Sequence, residues 1–499
     1  MPLAAKRAGC ALLASLAVLA LSAPAAGAAD AELVSVSAGA NGAQRMLYRV
    51  GPFRVTPGQN EIGNRIVAEK PAVDGWITRI RPDLVYTNGR VPGVDVIHLH
   101  HGVWLNLSRP DTTWPGLPER FFAVGEEKTI FTFPRGYGYE YRASDTWLLN
   151  HMIHNLTPVP TEVYMVYEID FIPRTSPRAR GMRPVRPVWM DVENGSAYPV
   201  FDVRKGAGSR GRFTYPRDVQ RAYAGRGRLN EWVADRDGVL VATAGHLHPG
   251  GLHTDLYLQR RGERGRAHLF RSKAKYFEPA GAVSWDVAMT ATRPDWRVRV
   301  RRGDVLSTTA TYASRRAAWW ESMGIMVAYM ADRGPGRNPF KRRVSFPGRP
   351  THGHLMENDN HGGGPADLPN PLRLRDGVTV GGPLDILDFK FTLGNLGLPG
   401  VGGRPPVVRR GQSITFRNVD DPKAVYHSIT SCKPPCNRET GIAYPIADGP
   451  VQFESGTLGS AVPPATGRLE WRTPRNLDRG TYTYFCRIHP FMRGAFRVK

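Results

Sequence analysis

TYTYFCRIHPFMRGAFRV, residues 481–498, reads as a strand, a tight loop and a second strand. Cys486 and His489 lie three apart, and Met492 lies three further on. A loop with that spacing can aim a thiolate, an imidazole and a thioether at one point. His427, in VYHSIT, supplies a second imidazole from an earlier strand. Two imidazoles, a thiolate and a weak axial thioether form the trigonal set that suits a type 1 copper, which carries one electron at a time.

Cysteine usage agrees with this reading. The chain has four: Cys10, Cys432, Cys436 and Cys486. Lys6 and Arg7 precede an apolar run from Ala11 to Leu21, followed by Ala26, Gly27 and Ala28. That order is a secretory signal peptide with cleavage near Ala28, and the run is too short to span a membrane. Cys10 leaves with it. Cys432 and Cys436, in SCKPPCN, can bridge locally in an oxidising compartment. Cys486 is then a lone thiol in a secreted chain, which calls for a reason, and a metal supplies one. The expected location is outside the cytoplasm, secreted or in the cell envelope. A formal charge of +23 then points to anionic cell-wall polymers or membrane surfaces rather than nucleic acid.

The loop resembles those of amicyanin, plastocyanin and related cupredoxins, whose C-x2-H-x2-M pattern has this form. The resemblance covers the end of the chain and implies a β-sandwich electron carrier. One departure is the long insertion between His427 and Cys486, which holds Cys432, Cys436 and IAYPIADGP.

Elsewhere, short runs rich in Val, Ile, Tyr, Phe and Trp alternate with Gly, Pro, Asn and Asp. Glu162–Ile172, Val239–Ala244, Trp296–Arg301 and Ile325–Met330 are examples. Such punctuation predicts an all-β chain. A basic, proline-bearing stretch at 174–188 interrupts the pattern, and 333–371 is rich in Gly, Pro and Asn. The expected division is a signal peptide at 1–28, a first sandwich at 29–200, a second at 201–332, a linker or covering loop at 333–376, and the cupredoxin sandwich at 377–499.

Of the chain's 14 histidines, twelve lie upstream of the cupredoxin-like segment, and most fall in clusters. VIHLHHGVWLN holds His98, His100 and His101. WLLNHMIHNLTP holds His151 and His154, AGHLHPGGLH holds His246, His248 and His253, and THGHLMENDNHGG holds His352, His354 and His361. His268 stands alone and reads as a surface residue. Residues i and i+2 of a strand share a face, so His246 and His248 can serve one ion. By the same rule His98 and His100 pair readily, whereas adjacent His100 and His101 converge only at a bulge or strand end.

After HLH come SWDVAM, VRRGDVLSTTATY and WWESMGIMVAYM. This order resembles the ascorbate-dependent copper monooxygenases, peptidylglycine α-hydroxylating and dopamine β-monooxygenase. The resemblance implies two jelly-roll-like antiparallel sandwiches and two further coppers. It allots His246, His248 and Met323 to an oxygen-activating copper, and His100, His101 and His154 to an electron-transferring one. Imidazole and thioether are ligands that stabilise Cu(I), the form that meets O2. Such an enzyme needs an external electron donor and a small-molecule substrate. Two positions depart from the family: where its peptide-processing members anchor a substrate carboxylate with Arg and Tyr, this chain has Ala244 and Val327. A C-terminal glycine substrate is therefore disfavoured. The alternative reading is a non-catalytic copper protein that stores or transfers electrons.

Overall fold

The computed structural model describes residues 31–57, 62–94, 96–196, 199–219, 222–225, 227–277, 280–354, 368–421, 425–436, 450–460 and 467–499. The expected signal peptide, His361 and most of the IAYPIADGP insertion lie outside them. The described chain is all-β, with only two short 3-10 turns among its strands. No helix among the described residues is long and apolar enough to cross a membrane.

Three sandwiches follow one another. In the first, Thr161–Pro173 pairs with both Gln44–Val55 and Gly75–Tyr86. Its alternate residues Val163, Met165, Tyr167, Ile169 and Phe171 point into a shared core. Each such side chain contributes about 1.5–3 kcal/mol when removed from water. The facing sheet runs Ile62–Val67, Trp147–Asn155, Ile97–Pro110 and Pro118–Val124. One of its faces closes that core through Leu99, Trp104, Leu149 and Ile153.

In the second sandwich, Gly238–His246 and Arg183–Asp191 flank Ile325–Ala331. The opposing sheet carries Gly251–Gln259 between Arg266–Tyr276 and Val305–Ala313. Part of the stretch expected to interrupt the pattern is itself a strand. Arg183–Asp191 pairs in parallel with Tyr137–Tyr141 of the first sandwich, then antiparallel with Ile325–Ala331 of the second. One continuous strand thus stitches the two together. Arg349 and Pro350, from the expected linker, add a short edge pairing to Val287–Ala291.

The third sandwich packs a five-stranded sheet containing His427–Cys432, Gly480–Phe485 and Arg493–Val498 on a four-stranded one. Cys432 and Cys436 are disulfide-bonded, and Cys486 is the free, buried thiol among the described residues. Phe485 and Val451 do not stay in their own sandwich. They join a core with Leu247, Trp285, Tyr312 and Trp319 of the second. The backbone seals this junction through Val451 N to Arg316 O (2.8 Å) and Ala318 N to a Glu454 carboxylate oxygen (2.7 Å).

Candidate metal centres

The C-terminal ligand loop is closed by its own backbone. Met492 N donates to His489 O at 2.8 Å, and Cys486 N to Met492 O at 3.2 Å. His427 opens the adjoining strand, whose Thr430 lies opposite Phe485. His427, Cys486 and His489 have no exposed surface, and Met492 is buried with them. The His427 and His489 Nδ1 atoms face each other at 3.2 Å, with Cys486 Sγ 3.6 Å from His489 Nδ1. Two imidazole nitrogens set so close share either a proton or a cation. Among the described residues this is the one trio of metal-ligand side chains whose donor atoms lie within 4.8 Å of one another.

Electrostatics prepares the trio. Burial alone pushes the Cys486 thiol up, but contact with His427 and the Ser428 N–H (3.3 Å from sulfur) brings it below its ordinary value. Burial, with His427 and His154 nearby, drives His489 well down, leaving a neutral imidazole able to ligate. Behind the site sits Asp420, which the sequence reading did not single out. Burial raises its carboxyl, but hydrogen bonds from His427 Nε2 (3.1 Å) and the amides of Asp388 and Phe389 outweigh this and hold it at about 2. Both amide donors have left-handed backbones, φ 48° and 59°. That costly conformation turns two successive N–H groups onto one carboxylate. The Phe389 ring then meets His489 edge-on, centroids 4.9 Å apart.

The upstream histidines gather where the three sandwiches meet. His98 and His154 are direct cross-strand partners with ring centroids 4.9 Å apart. Between Leu99 and His101 the register slips, making His100 the extra residue of a bulge. The bulge relaxes the alternation that would send His100 and His101 to opposite faces, and their rings lie 5.7 Å apart. His100 also meets His248 of the second sandwich, centroids at 4.5 Å, and His248 lies 5.2 Å from His246. Trp285, from SWDVAM, packs within 4.5–5.4 Å of His98, His100 and His248. His151 faces away from this group. It packs on Phe53, and its ring fills the space where a side chain on Gly63 would begin.

Several rings are held by one nitrogen and unsatisfied at the other. His246 Nδ1 lies 3.0 Å from both Glu127 carboxylate oxygens, His248 Nδ1 lies 2.6 Å from Glu321 O, and His101 Nε2 lies 3.2 Å from Asn150 Oδ1. His154 lines a cavity together with Ile488, inside the C-terminal ligand loop. Nε2 of His154, His246 and His248, Nδ1 of His100 and His101, and both nitrogens of His98 are buried without a hydrogen-bond partner. A neutral polar atom left so costs about 1–3 kcal/mol. Anchoring one imidazole nitrogen and leaving the other bare is how proteins orient metal-binding histidines. Burial, with neighbouring histidines, lowers His98, His100 and His248 well below the ordinary range and takes His101 to about 3, and burial takes His154 to about 4. His246 instead is raised, because Glu127 outweighs burial.

Met323 is buried beside Trp189 and Ile325. Its backbone is tied to that of His248 through one hydroxyl: Tyr312 accepts from His248 N and Met323 N (3.2 Å each) and donates to Met323 O (2.6 Å). Ala244 and Val327 are cross-strand partners, so the positions that bind a carboxylate in the peptide-processing enzymes form an apolar pair here. His253 is a structural residue, 2.9 Å from Asp255, and His268 is paired rather than merely exposed, 2.7 Å from the same carboxylate. His352 bonds the carbonyl of Glu127 and His354 pairs with Asp286. The start of the expected covering loop therefore does reach the histidine centre.

No protein-family model matches the sequence, and no curated protein matches it. Among solved structures, the chain is similar to a mutant of amicyanin in its Cu(I) form, with 17% identity over 26% of this chain and 91% of that one, TM-score 0.15. It is similar to a purple cupredoxin from Nitrosopumilus maritimus, with 19% identity over 24% of this chain and all of that one, TM-score 0.16. It is also similar to a copper-containing nitrite reductase from Thermus scotoductus SA-01, with 14% identity over 52% and 55% of the two chains, TM-score 0.16. At scores this low the weight falls on the donor atoms. The two-sheet sandwich and its ligand loop make the C-terminal unit cupredoxin-like.

Proposed function

We propose that the chain is a copper oxidoreductase working outside the cytoplasm, in which a type 1 copper exchanges electrons with a second copper centre built from the upstream histidines. One observation carries the reading: His154, of the upstream group, and Ile488, two residues from Cys486, line one cavity. Two sets of buried metal-type donors set so close together suit electron transfer within a molecule better than storage.

At the C-terminal site, His427, Cys486, His489 and Met492 would hold the copper. Copper bound there supplies one-electron Cu(II)/Cu(I) chemistry. Asp420 keeps His427 in one tautomer with Nδ1 inward. At the upstream centre Glu127 and the Glu321 carbonyl do the same for His246 and His248. The finer form of the proposal is reduction of O2 by a monooxygenase-type reaction, with electrons from an external donor. In its favour is the Tyr312 bridge between the His248 and Met323 backbones.

The test is copper content together with reductant-dependent O2 uptake, on the protein and on Met323→Ile and His248→Ala. The proposal expects more than one copper per chain, and uptake that falls in both variants. A single copper with no uptake leaves an electron carrier. The Ala244–Val327 pair favours that second reading over hydroxylation of a carboxylate-bearing substrate.

A further inference from the structure

His100, His154 and His248 line one cavity of about 110 Å³, together with Trp285, Trp319, Trp320 and, from the C-terminal sandwich, Arg487 and Ile488. The three imidazoles come from both upstream sandwiches, and each is more than nine-tenths buried. We infer that His100, His154 and His248 hold one copper ion in this cavity, a site shared by the two upstream sandwiches and walled by the third. The inference rests on the proposed copper chemistry of the upstream histidines, but it divides them differently from the monooxygenase resemblance, which places His100 and His154 on one ion and His248 on another.

Three observations support this division. His248 has Nδ1 engaged by the Glu321 carbonyl, and His248 and His154 each have a bare Nε2. His100 has no partner at Nδ1, and its ring is closer to His248 (4.5 Å) than to His101 (5.7 Å). Imidazole nitrogens about 2.0–2.1 Å from an ion set ring centroids about 5 Å apart, so the His100–His248 contact already has the spacing of a ligand pair. The donors are less tightly gathered than the C-terminal trio, and binding draws the His154 ring inward. Glu321 has a left-handed backbone, φ 55°, and its carbonyl is the one that fixes His248. A conformation that costly at a ring anchor fits a positioning role.

The cavity is partly open to solvent, so beside the ion there is room for an exogenous ligand.

Cys486→Ser in the full-length chain removes the thiolate of the type 1 site and isolates the second one. After incubation with Cu(II) and dialysis, the inference expects one retained, colourless copper. Its EPR spectrum should show imidazole nitrogen couplings and should shift on adding azide. In the Cys486→Ser background, His154→Ala and His248→Ala should each lose this copper, while His151→Ala, on the opposite face, keeps it; far-UV circular dichroism checks that all remain folded. Retention in His154→Ala with loss in His246→Ala overturns the shared site in favour of the division by sandwich. No retained copper in Cys486→Ser overturns it outright. Failure of the type 1 reading is seen separately, as absence of the blue band in the parent protein.

Discussion

Replacing Asp420 by Asn tests the geometry of the type 1 site without touching a ligand. The Asp420 carboxylate lies 3.1 Å from His427 Nε2. With the width of the ring and a bond of about 2 Å to the metal, its charge sits roughly 7 Å from the copper. Two unit charges at about 7 Å and an effective dielectric constant of about 20 interact by about 2.4 kcal/mol. The carboxylate favours Cu(II) over Cu(I) by that amount, so neutralising it should raise the reduction potential by about 100 mV, at about 2.3 kcal/mol per 100 mV. An amide oxygen also cannot serve His427 and both loop amides as a carboxylate does. Loss of such an orienting partner typically weakens metal binding about 10–100-fold. Spectroelectrochemistry reads the potential and competition with a chelator reads the affinity. A potential that falls, or rises by less than about a quarter of the expected shift, refutes the reasoning.

Arg487→Ala should loosen the third sandwich from the second. Its guanidinium pairs with Glu454, reaches the Ala318 carbonyl and stacks 4.4 Å from the Trp320 ring, and both members of the ion pair have side chains only 10% exposed. Breaking a buried pair from one side should cost about 2–4 kcal/mol in denaturant unfolding, with the blue band retained; a cycle with Glu454→Gln measures the coupling, and near-additivity counts against a clamp. Tyr312→Phe should cost about 2–3 kcal/mol by leaving the His248 and Met323 backbone groups unsatisfied, and should lower copper retention upstream while leaving the blue band unchanged. Gly250→Ala should be worse tolerated than an ordinary Gly→Ala change. Its φ is +89° and the added carbon would lie 2.2 Å from the Trp319 ring, so a melting temperature equal to the parent's contradicts the described packing.

The C-terminal donor cluster was legible because Cys486, His489 and Met492 fall within seven consecutive residues, where loop spacing nearly determines geometry. Asp420 was not, because its role depends on two strained residues at 388 and 389, about thirty positions away. Upstream, His246 and His248 could be paired from strand periodicity. His151 and His154 could have been separated by the same arithmetic, since an odd spacing in a strand sends them to opposite faces. The His100–His101 question was open for a sound reason: one inserted residue reverses the alternation, and nothing local in VIHLHHG marks the bulge. The His100–His248 contact joins residues from different sandwiches, beyond the reach of any periodicity. The strand Arg183–Asp191 was hidden by Pro184 and Pro187, which read as breakers. Among the described residues these prolines pair opposite Gly138 and Tyr329, a reminder that a strand can tolerate a missing N–H where the ladder does not need it.

Phe485 is the residue immediately before Cys486, and it is rooted in the hydrophobic core of the neighbouring sandwich. The C-terminal sandwich is therefore not a bob on a string. Under the proposed function, electron delivery from Cys486 toward His154 would involve no docking encounter, so its rate should be indifferent to solvent viscosity and to protein concentration, and diffusion should govern only the arrival of the outside reductant.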